Sequence, residues 1–271
     1  MIWRIIGLVT LACLVLAEAS ARLSGILFST DTPRWPWFAA FLALDAVALL
    51  GMLERRAPIF GRVFWRGPTD RPVASLTFDD GPNEPYTSQV LDILAKSGVR
   101  ATFFVIGENA AHFPASVERA AREGHEIGGH TWDHGVLPLK GPRAIGEQIE
   151  RSSAIIEQLT GARPALFRAP HGWRNPWVNP VARNHGVRPV GWTLGVWDTD
   201  RPGADVIVRR TFEGMRNGCV LLLHDGRGTE RDADSSQLVQ ALPGIISGLR
   251  GRGYRLLTLS ELIRETEGAA R

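Results

Sequence analysis

Five short polar clusters each terminate an apolar run, and that repeated layout constrains the fold more than any other feature of the chain. The clusters are Thr77-Phe78-Asp79-Asp80-Gly81-Pro82, His130-Thr131-Trp132-Asp133-His134, Arg168-Ala169-Pro170-His171-Gly172, Trp192 through Asp198, and Leu222-Leu223-His224-Asp225-Gly226. Runs such as Val73 to Phe78, Ala101 to Gly107, Ala165 to Phe167, Val187 to Leu194 and Cys219 to Leu223 have the length and the branched or aromatic content of buried strands. Helix-like stretches fill the gaps: Tyr86 to Lys96, Ala110 to Glu123, Arg143 to Leu159, Asp205 to Arg216 and Ser236 to Arg250. Alternating strand and helix predict an α/β barrel with a parallel sheet. In such barrels the loops after the strands carry the chemistry, so the polar clusters converge on one mouth.

The residue types at that mouth define a chemistry. His130 and His134 stand four apart, and on one helical turn both imidazoles would face the same side, as a nitrogen-bound divalent ion requires. The adjacent Asp79 and Asp80 supply a carboxylate ligand: neighbours on an extended segment point opposite ways, so one can hold metal while the other faces a reacting water. Two His and one carboxylate leave positions open, the layout of a catalytic metal site. His224 ends another strand and can donate a proton to a leaving group.

Each feature alone has a plainer explanation. A His pair at this spacing is commonly a surface coincidence, Asp-Asp-Gly-Pro is turn chemistry, and a lone Arg168 is a solvated charge. Independent turns have no reason to offer a carboxylate pair, a His pair, an Arg and a further His in this order.

In that order the motifs Thr-Phe-Asp-Asp-Gly-Pro, His-Thr-x-x-His, Arg-x-Pro, Trp-x-x-x-x-x-Asp and Leu-x-His-Asp-Gly resemble those of the polysaccharide deacetylases, the NodB-like homology domain of family-4 carbohydrate esterases, from Val73 to Leu259. The resemblance implies a distorted (β/α)7 barrel and metal-dependent removal of an N-acetyl or related acyl group from an amino sugar. It implies Asp79 as general base, Asp80, His130 and His134 as metal ligands, and His224 as general acid. Arg168 would orient Asp79, Asp198 would orient His224, and His171 and Leu222 would lie against the substrate and its oxyanion. One divalent ion is expected, zinc first, with cobalt, nickel and manganese as alternatives. Two departures stand out. His171 replaces a Tyr common in the family, and the family's Asp-x-x-Asp-Trp reads here as Gly195-Val196-Trp197-Asp198-Thr199. A backbone donor at His171 survives the first change. The second alters the wall facing the sugar.

Residues 67–271 suffice for one barrel with a large core. Cys13 and Cys219 lie in an apolar leader and a core strand, so no disulfide is expected. Residues 1–66 differ in kind. Ile5 to Ala17 is an apolar run behind Arg4, and Trp35 to Leu53 is a second, broken by Asp45. Both approach the ~20 residues that cross a bilayer, so two transmembrane helices are expected ahead of the barrel. A signal peptide competes for the first run, because Ala19-Ser20-Ala21 offers small residues after it. Arg55, Arg56, Arg62 and Arg66 follow the second run while the connection holds only Arg22 and Arg34, which puts the barrel on the cytoplasmic side of the inner membrane. The resemblance points instead to envelope glycans outside. A lipid-linked amino sugar reconciles the two.

The expected partners are therefore a carbohydrate bearing N-acyl amino sugars and the lipid bilayer. A net charge of +3 gives no case for nucleic acid, and nothing in the sequence fixes an oligomeric state. The rival functions are an O-acetyl esterase or sugar deformylase on the same fold, or a membrane-held glycan-binding protein without turnover. The complete set Asp79, Asp80, His130, His134 and His224 favours the enzyme.

Overall fold

The computed structural model describes residues 35–54 and 57–268. After a helix α1 (Trp35–Leu53) and a short 3-10 turn at Pro58–Phe60, strands and helices alternate: β1 (Val73–Asp79), α2 (Tyr86–Ser97), β2 (Thr102–Val105), α3 (Gly107–His112), α4 (Pro114–Arg122), β3 (Glu126–Gly129) and α5 (Pro142–Thr160). Then come β4 (Leu166–Phe167), α6 (Val178–Asn184), β5 (Arg188–Pro189), β6 (Leu194–Gly195), α7 (Ala204–Gly214), β7 (Cys219–His224), α8 (Ser236–Gly251), β8 (Arg255–Leu256) and α9 (Leu259–Gly268). The strands pair in parallel in the order β5-β4-β3-β2-β1-β7-β6, with β8 beside the start of β1.

This curled parallel sheet is an open relative of the expected seven-stranded barrel. The sheet holds eight strands, and β5 and β6 end its path without pairing to each other. The gap is crossed by the segment before the barrel. Phe64 bridges to Val190, Arg66 bridges to Cys219, and the Trp65 carbonyl accepts a hydrogen bond from Thr193 Oγ1 at 2.6 Å.

Alternation along the strands divides inside from outside. On β1, Ala74, Leu76 and Phe78 join Leu221 and Leu223 of β7 in the cluster under the helices. The opposite face of those two strands carries Val73, Val220 and Leu222 into a second, inner cluster with Phe104 and Trp192. That same inner parity brings Thr77, Asp79 and His224 to the mouth. In the register between β1 and β7, Asp79 stands directly beside His224.

Several expectations need correction. The predicted strand over Val187 to Leu194 is two short ones, β5 and β6. Pro189 donates no backbone hydrogen bond; after it Val190 N–H still donates to Phe167 O of β4 at 2.9 Å, but Gly191 N–H turns to Phe64 O at 2.7 Å. The helix over Ala110 to Glu123 breaks between α3 and α4 at Pro114, which lacks an N–H and starts the second helix. β3 went unpredicted because Glu126-Ile127-Gly128-Gly129 has no apolar run. Gly128 is required there: a Cβ would stand 2.6 Å from the Phe104 ring.

The anchor expectation divides. The run from Ile5 to Ala17 and residues Arg55 and Arg56 lie outside the described residues. The second run does form a helix with the expected bounds, and Leu42, Leu44, Val47 and Leu50 on it are exposed. Among the described residues, however, no helix is long and apolar enough to cross a membrane. The 19-residue α1 carries Asp45 midway along its apolar run. Its end is fastened to the barrel by the buried Arg174, whose N–H donates to Met52 O at 3.1 Å and whose guanidinium donates to Gly61 O at 2.9 Å and Ala57 O at 3.2 Å.

Candidate active site

Asp80, His130 and His134 come together at the mouth of the sheet. Asp80 Oδ1 lies 3.3 Å from His130 Nε2 and 3.0 Å from His134 Nε2. Ligands ~2.0–2.2 Å from a common tetrahedral ion stand roughly 3.3 Å apart, so the separations match. Asp80 Oδ1 is buried and has no hydrogen-bond partner, as an atom that awaits a cation would be. The rest of each ligand is fixed. Gly228 N donates to Asp80 Oδ2 at 2.8 Å, and Asn109 Nδ2 donates to the Asp80 carbonyl at 2.8 Å, holding the backbone at φ 71. His130 Nδ1 donates to Arg168 O at 2.8 Å, which selects the tautomer with an Nε2 lone pair.

Burial opposes the Asp80 charge, but the imidazoles of His130 and His134 beside it, with His224 beyond, outweigh burial and hold the carboxyl well below the usual carboxylate range. Asp80 is thus ionised across the whole neutral range, the form a metal ligand needs.

The His pair does not lie on a helix. It sits in the loop after β3, with Thr131 at φ 68 and His134 at φ 55. Two left-handed residues in a short loop, with the His134 N–H donating to Thr131 Oγ1 at 3.1 Å, achieve the convergence expected from a helical turn.

Asp79 and Arg168 form a buried pair. Arg168 Nη1 donates to Asp79 Oδ1 at 2.6 Å and to Thr77 Oγ1 at 2.9 Å, while Nη2 donates to Gly191 O at 2.9 Å. The guanidinium also lies 4.1 Å from the centre of the Phe104 ring. Arg168 is 0 % exposed, so its charge is borne by these contacts alone. Asp79 Oδ2 remains 3.8 Å from His130 Nε2, facing the metal position.

His224 and Asp198 form the second pair. Asp198 accepts twice, from His224 Nδ1 at 2.9 Å and from the His224 backbone N–H at 2.7 Å. Burial pushes the imidazole down, but the carboxylates of Asp198, Asp80 and Asp79 overcome it and raise it to about 10. With Nδ1 committed to Asp198, Nε2 carries the proton available for transfer.

The two remaining residues lie nearby. His171 has φ 58 and its ring packs 4.9 Å from that of His134 and 4.6 Å from that of Trp173; burial and the neighbouring imidazole push it down to about 4. Leu222 is buried two residues before His224, on the same inner face.

Sequence reading missed several supports. Asn109 and Gly228 brace Asp80 from elements with no chemical signature. Asp225 was quoted only as part of a motif. It is fully buried, accepts from Thr87 Oγ1 at 2.6 Å, and is raised to about 7 by burial. Gly81 packs against it so closely that a Cβ would meet an Asp225 oxygen at 2.2 Å.

The polysaccharide deacetylase family model matches residues 66–190. A peptidoglycan-N-acetylglucosamine deacetylase of Bacillus cereus is 35% identical over 218 residues, covering 79% of this chain and 98% of the relative. A chitooligosaccharide deacetylase of Sinorhizobium fredii is 37% identical over 202 residues, covering 72% and 94%. The crystal structure of a peptidoglycan N-acetylglucosamine deacetylase bound to an N-hydroxybenzamide compound superposes with a TM-score of 0.69 at 33% identity, over 74% of this chain and 92% of that one. This chain therefore belongs to the polysaccharide deacetylase family, hydrolases that act on carbon–nitrogen bonds other than peptide bonds. A pseudoenzyme from Bacillus anthracis shares the fold with a TM-score of 0.70 at 24% identity, so the fold by itself does not guarantee turnover.

Proposed function

We propose that this protein is a metal-dependent N-deacetylase acting on N-acetylated amino sugars of a cell-envelope glycan or lipid-linked saccharide. Asp80, His130 and His134 hold one divalent ion, zinc first. Bound there, the ion would polarise the acyl carbonyl and acidify the attacking water. Asp79, with Oδ1 held by Arg168, takes the water's proton on the carboxylate face turned to the metal position. The water oxygen bonds to the acyl carbon. His224 then gives its Nε2 proton to the sugar nitrogen as the carbon–nitrogen bond breaks, releasing acetate and a free amine. A group raised to about 10 is charged at neutral pH and ready for that task. The backbone N–H of His171 serves as oxyanion donor, and Leu222 gives the acyl methyl an apolar floor.

The observation that carries this reading is the convergence of two ion pairs, Asp79–Arg168 and His224–Asp198, on one three-residue metal position. The relatives act on peptidoglycan and on chitooligosaccharides according to their names, and both substrates carry N-acetylglucosamine. Acetate release from chitooligosaccharides and peptidoglycan by zinc-loaded protein tests it. Asp79→Asn and His224→Ala should each keep metal and fold yet lose turnover about a hundredfold or more. Loss of metal in both variants, or near-normal activity in Asp79→Asn, would overturn these roles.

We also propose that residues 1–66 hold the catalytic unit, residues 67–271, at the cytoplasmic membrane. Support comes from the exposed Leu42, Leu44, Val47 and Leu50 on α1, apolar side chains that water expels. Full-length protein that washes off membranes in carbonate would refute it.

A further inference from the structure

The segment between α1 and β1 lies along α6, and beside it opens a cavity of about 640 Å³ that the catalytic chemistry does not use. Backbone carbonyls fasten the segment there. Asn179 Nδ2 of α6 donates to Phe60 O at 2.8 Å, and one turn on, Arg183 Nη2 donates to Arg62 O at 3.0 Å. Arg62, Arg183 and Arg188 all line the cavity, and all three are exposed. Arg188 donates to Glu267 Oε1 at 2.8 Å, and its guanidinium lies 5.6 Å from the centre of the Phe64 ring. Arg62 and Arg183 have no carboxylate partner among the described residues, and no carboxylate lines the cavity. Like charges in one concavity add their potentials and draw an anion. Most of the remaining wall is apolar, with Val63, Phe64, Val187 and Pro189.

The place of the cavity in the fold names its occupant. Arg174 donates from its backbone N–H to Met52 O at 3.1 Å and from its guanidinium to Gly61 O at 2.9 Å, so the end of α1 and the residue before Arg62 lie within one side chain's reach of each other. Leu42, Leu44, Val47 and Leu50 stand exposed on that helix. An apolar helix beside a basic cavity makes the two halves of a hold on an anionic bilayer: one buries apolar area in the interface, and the other attracts headgroup phosphates. The second half matters here, because among the described residues no helix is long and apolar enough to cross a membrane. Guanidiniums offer forked donors to phosphate oxygens. The apolar wall suits the glycerol and first methylenes that follow a lipid phosphate, whereas a small soluble anion would leave that wall without a partner.

We propose that this cavity docks the phosphate headgroup of an anionic phospholipid through Arg62 and Arg183, and so fixes the orientation of the barrel on the membrane. The inference rests on the membrane reading above. Flotation of the full-length chain with phosphatidylcholine vesicles, with and without phosphatidylglycerol, tests it. Phosphatidylglycerol should tighten binding of the wild type about tenfold or more, and added salt should remove the gain. The double variant Arg62→Ala, Arg183→Ala should lose most of that gain and bind neutral vesicles as the wild type does. Lys96→Ala, which removes a positive charge from an exposed position on α2, should keep it. Unfolding curves check the double variant, and Arg62→Ala alone, which removes no side-chain hydrogen bond among the described residues, should still cost about fivefold. Equal binding of the wild type to both vesicles, or a loss in Lys96→Ala as large as in Arg62→Ala, overturns the site and leaves the anchor standing. A preference for phosphatidylglycerol in protein that ignores neutral vesicles upholds the site and overturns the apolar anchor instead. Displacement by inorganic phosphate at matched ionic strength would make the cavity a site for a soluble anion and overturn the lipid assignment.

Discussion

Replacing Asp198 by Asn tests how the acid is tuned. His224 sits at about 10 against burial that pushes it down, and Asp198 is the foremost of the carboxylates that hold it up. An opposite charge at 2.9 Å is expected to raise an imidazole by ~1–3 pH units, or roughly 1.4–4 kcal/mol at 1.36 kcal/mol per unit. Asn keeps one acceptor and turns the other into a donor facing an N–H, so one of the two bonds to His224 is also lost. The sign follows. A raised imidazole keeps its proton until pH passes its elevated value, so removing the carboxylate brings deprotonation to lower pH. The alkaline limb of kcat/KM on an N-acetylglucosamine tetramer should therefore move down by ~1–3 units, while the acid limb stays in place. Zinc content should not change, because Asp198 touches no metal ligand. An alkaline limb that keeps its position in a folded, zinc-loaded variant would show that Asp198 does not set the charge of His224.

Three further outcomes are expected. Arg168→Met leaves Asp79 buried without its cation and should cost about 3–5 kcal/mol in urea unfolding; a loss under ~1 kcal/mol would mean that the pair is not the buried strut it looks to be. His130→Ala should reduce zinc from about one equivalent per chain to below a tenth by elemental analysis, since two ligands rarely retain what three bind; full retention would displace the metal position. Burial pushes His125 down to about 4, so its neutral form is favoured in the fold and stability should drain away as pH falls from its ordinary 6.5 toward 4. His125→Asn, which can still accept from the Ala101 N–H, should flatten that window relative to wild type, and parallel curves would refute the assignment.

What the sequence revealed of the site was what chemistry demands by residue type. Asp79, Asp80, His130, His134, Arg168, Asp198 and His224 were all readable, because each ends a strand or stands in a motif of unusual composition. The supports were not. Asn109 and Gly228 hold Asp80 from positions 29 and 148 residues away, and no local pattern marks a residue whose role is to meet a distant carbonyl or carboxylate. The fold shows the same divide. The long apolar strands β1 and β7 were evident, whereas β3 depends on Gly128, which makes room for Phe104, and β8 is two residues recruited by the start of β1. The loop geometry of the His pair was misread as helical because spacing reports how far apart two residues are and leaves open which backbone path joins them.

The neighbouring placement of Asp79 and His224 in the β1–β7 register separates the machinery from its surroundings. Their spacing is set by main-chain hydrogen bonds in the middle of the sheet, so it cannot drift when loop residues are exchanged. A one-residue slip would turn one of the two away from the mouth altogether. Variation is thus free to accumulate in the loops around the mouth, as at His171 and Thr199, while Asp79 and His224 stay on a fixed ruler. Swapping loops between relatives should retarget this scaffold without any need to rebuild its chemistry.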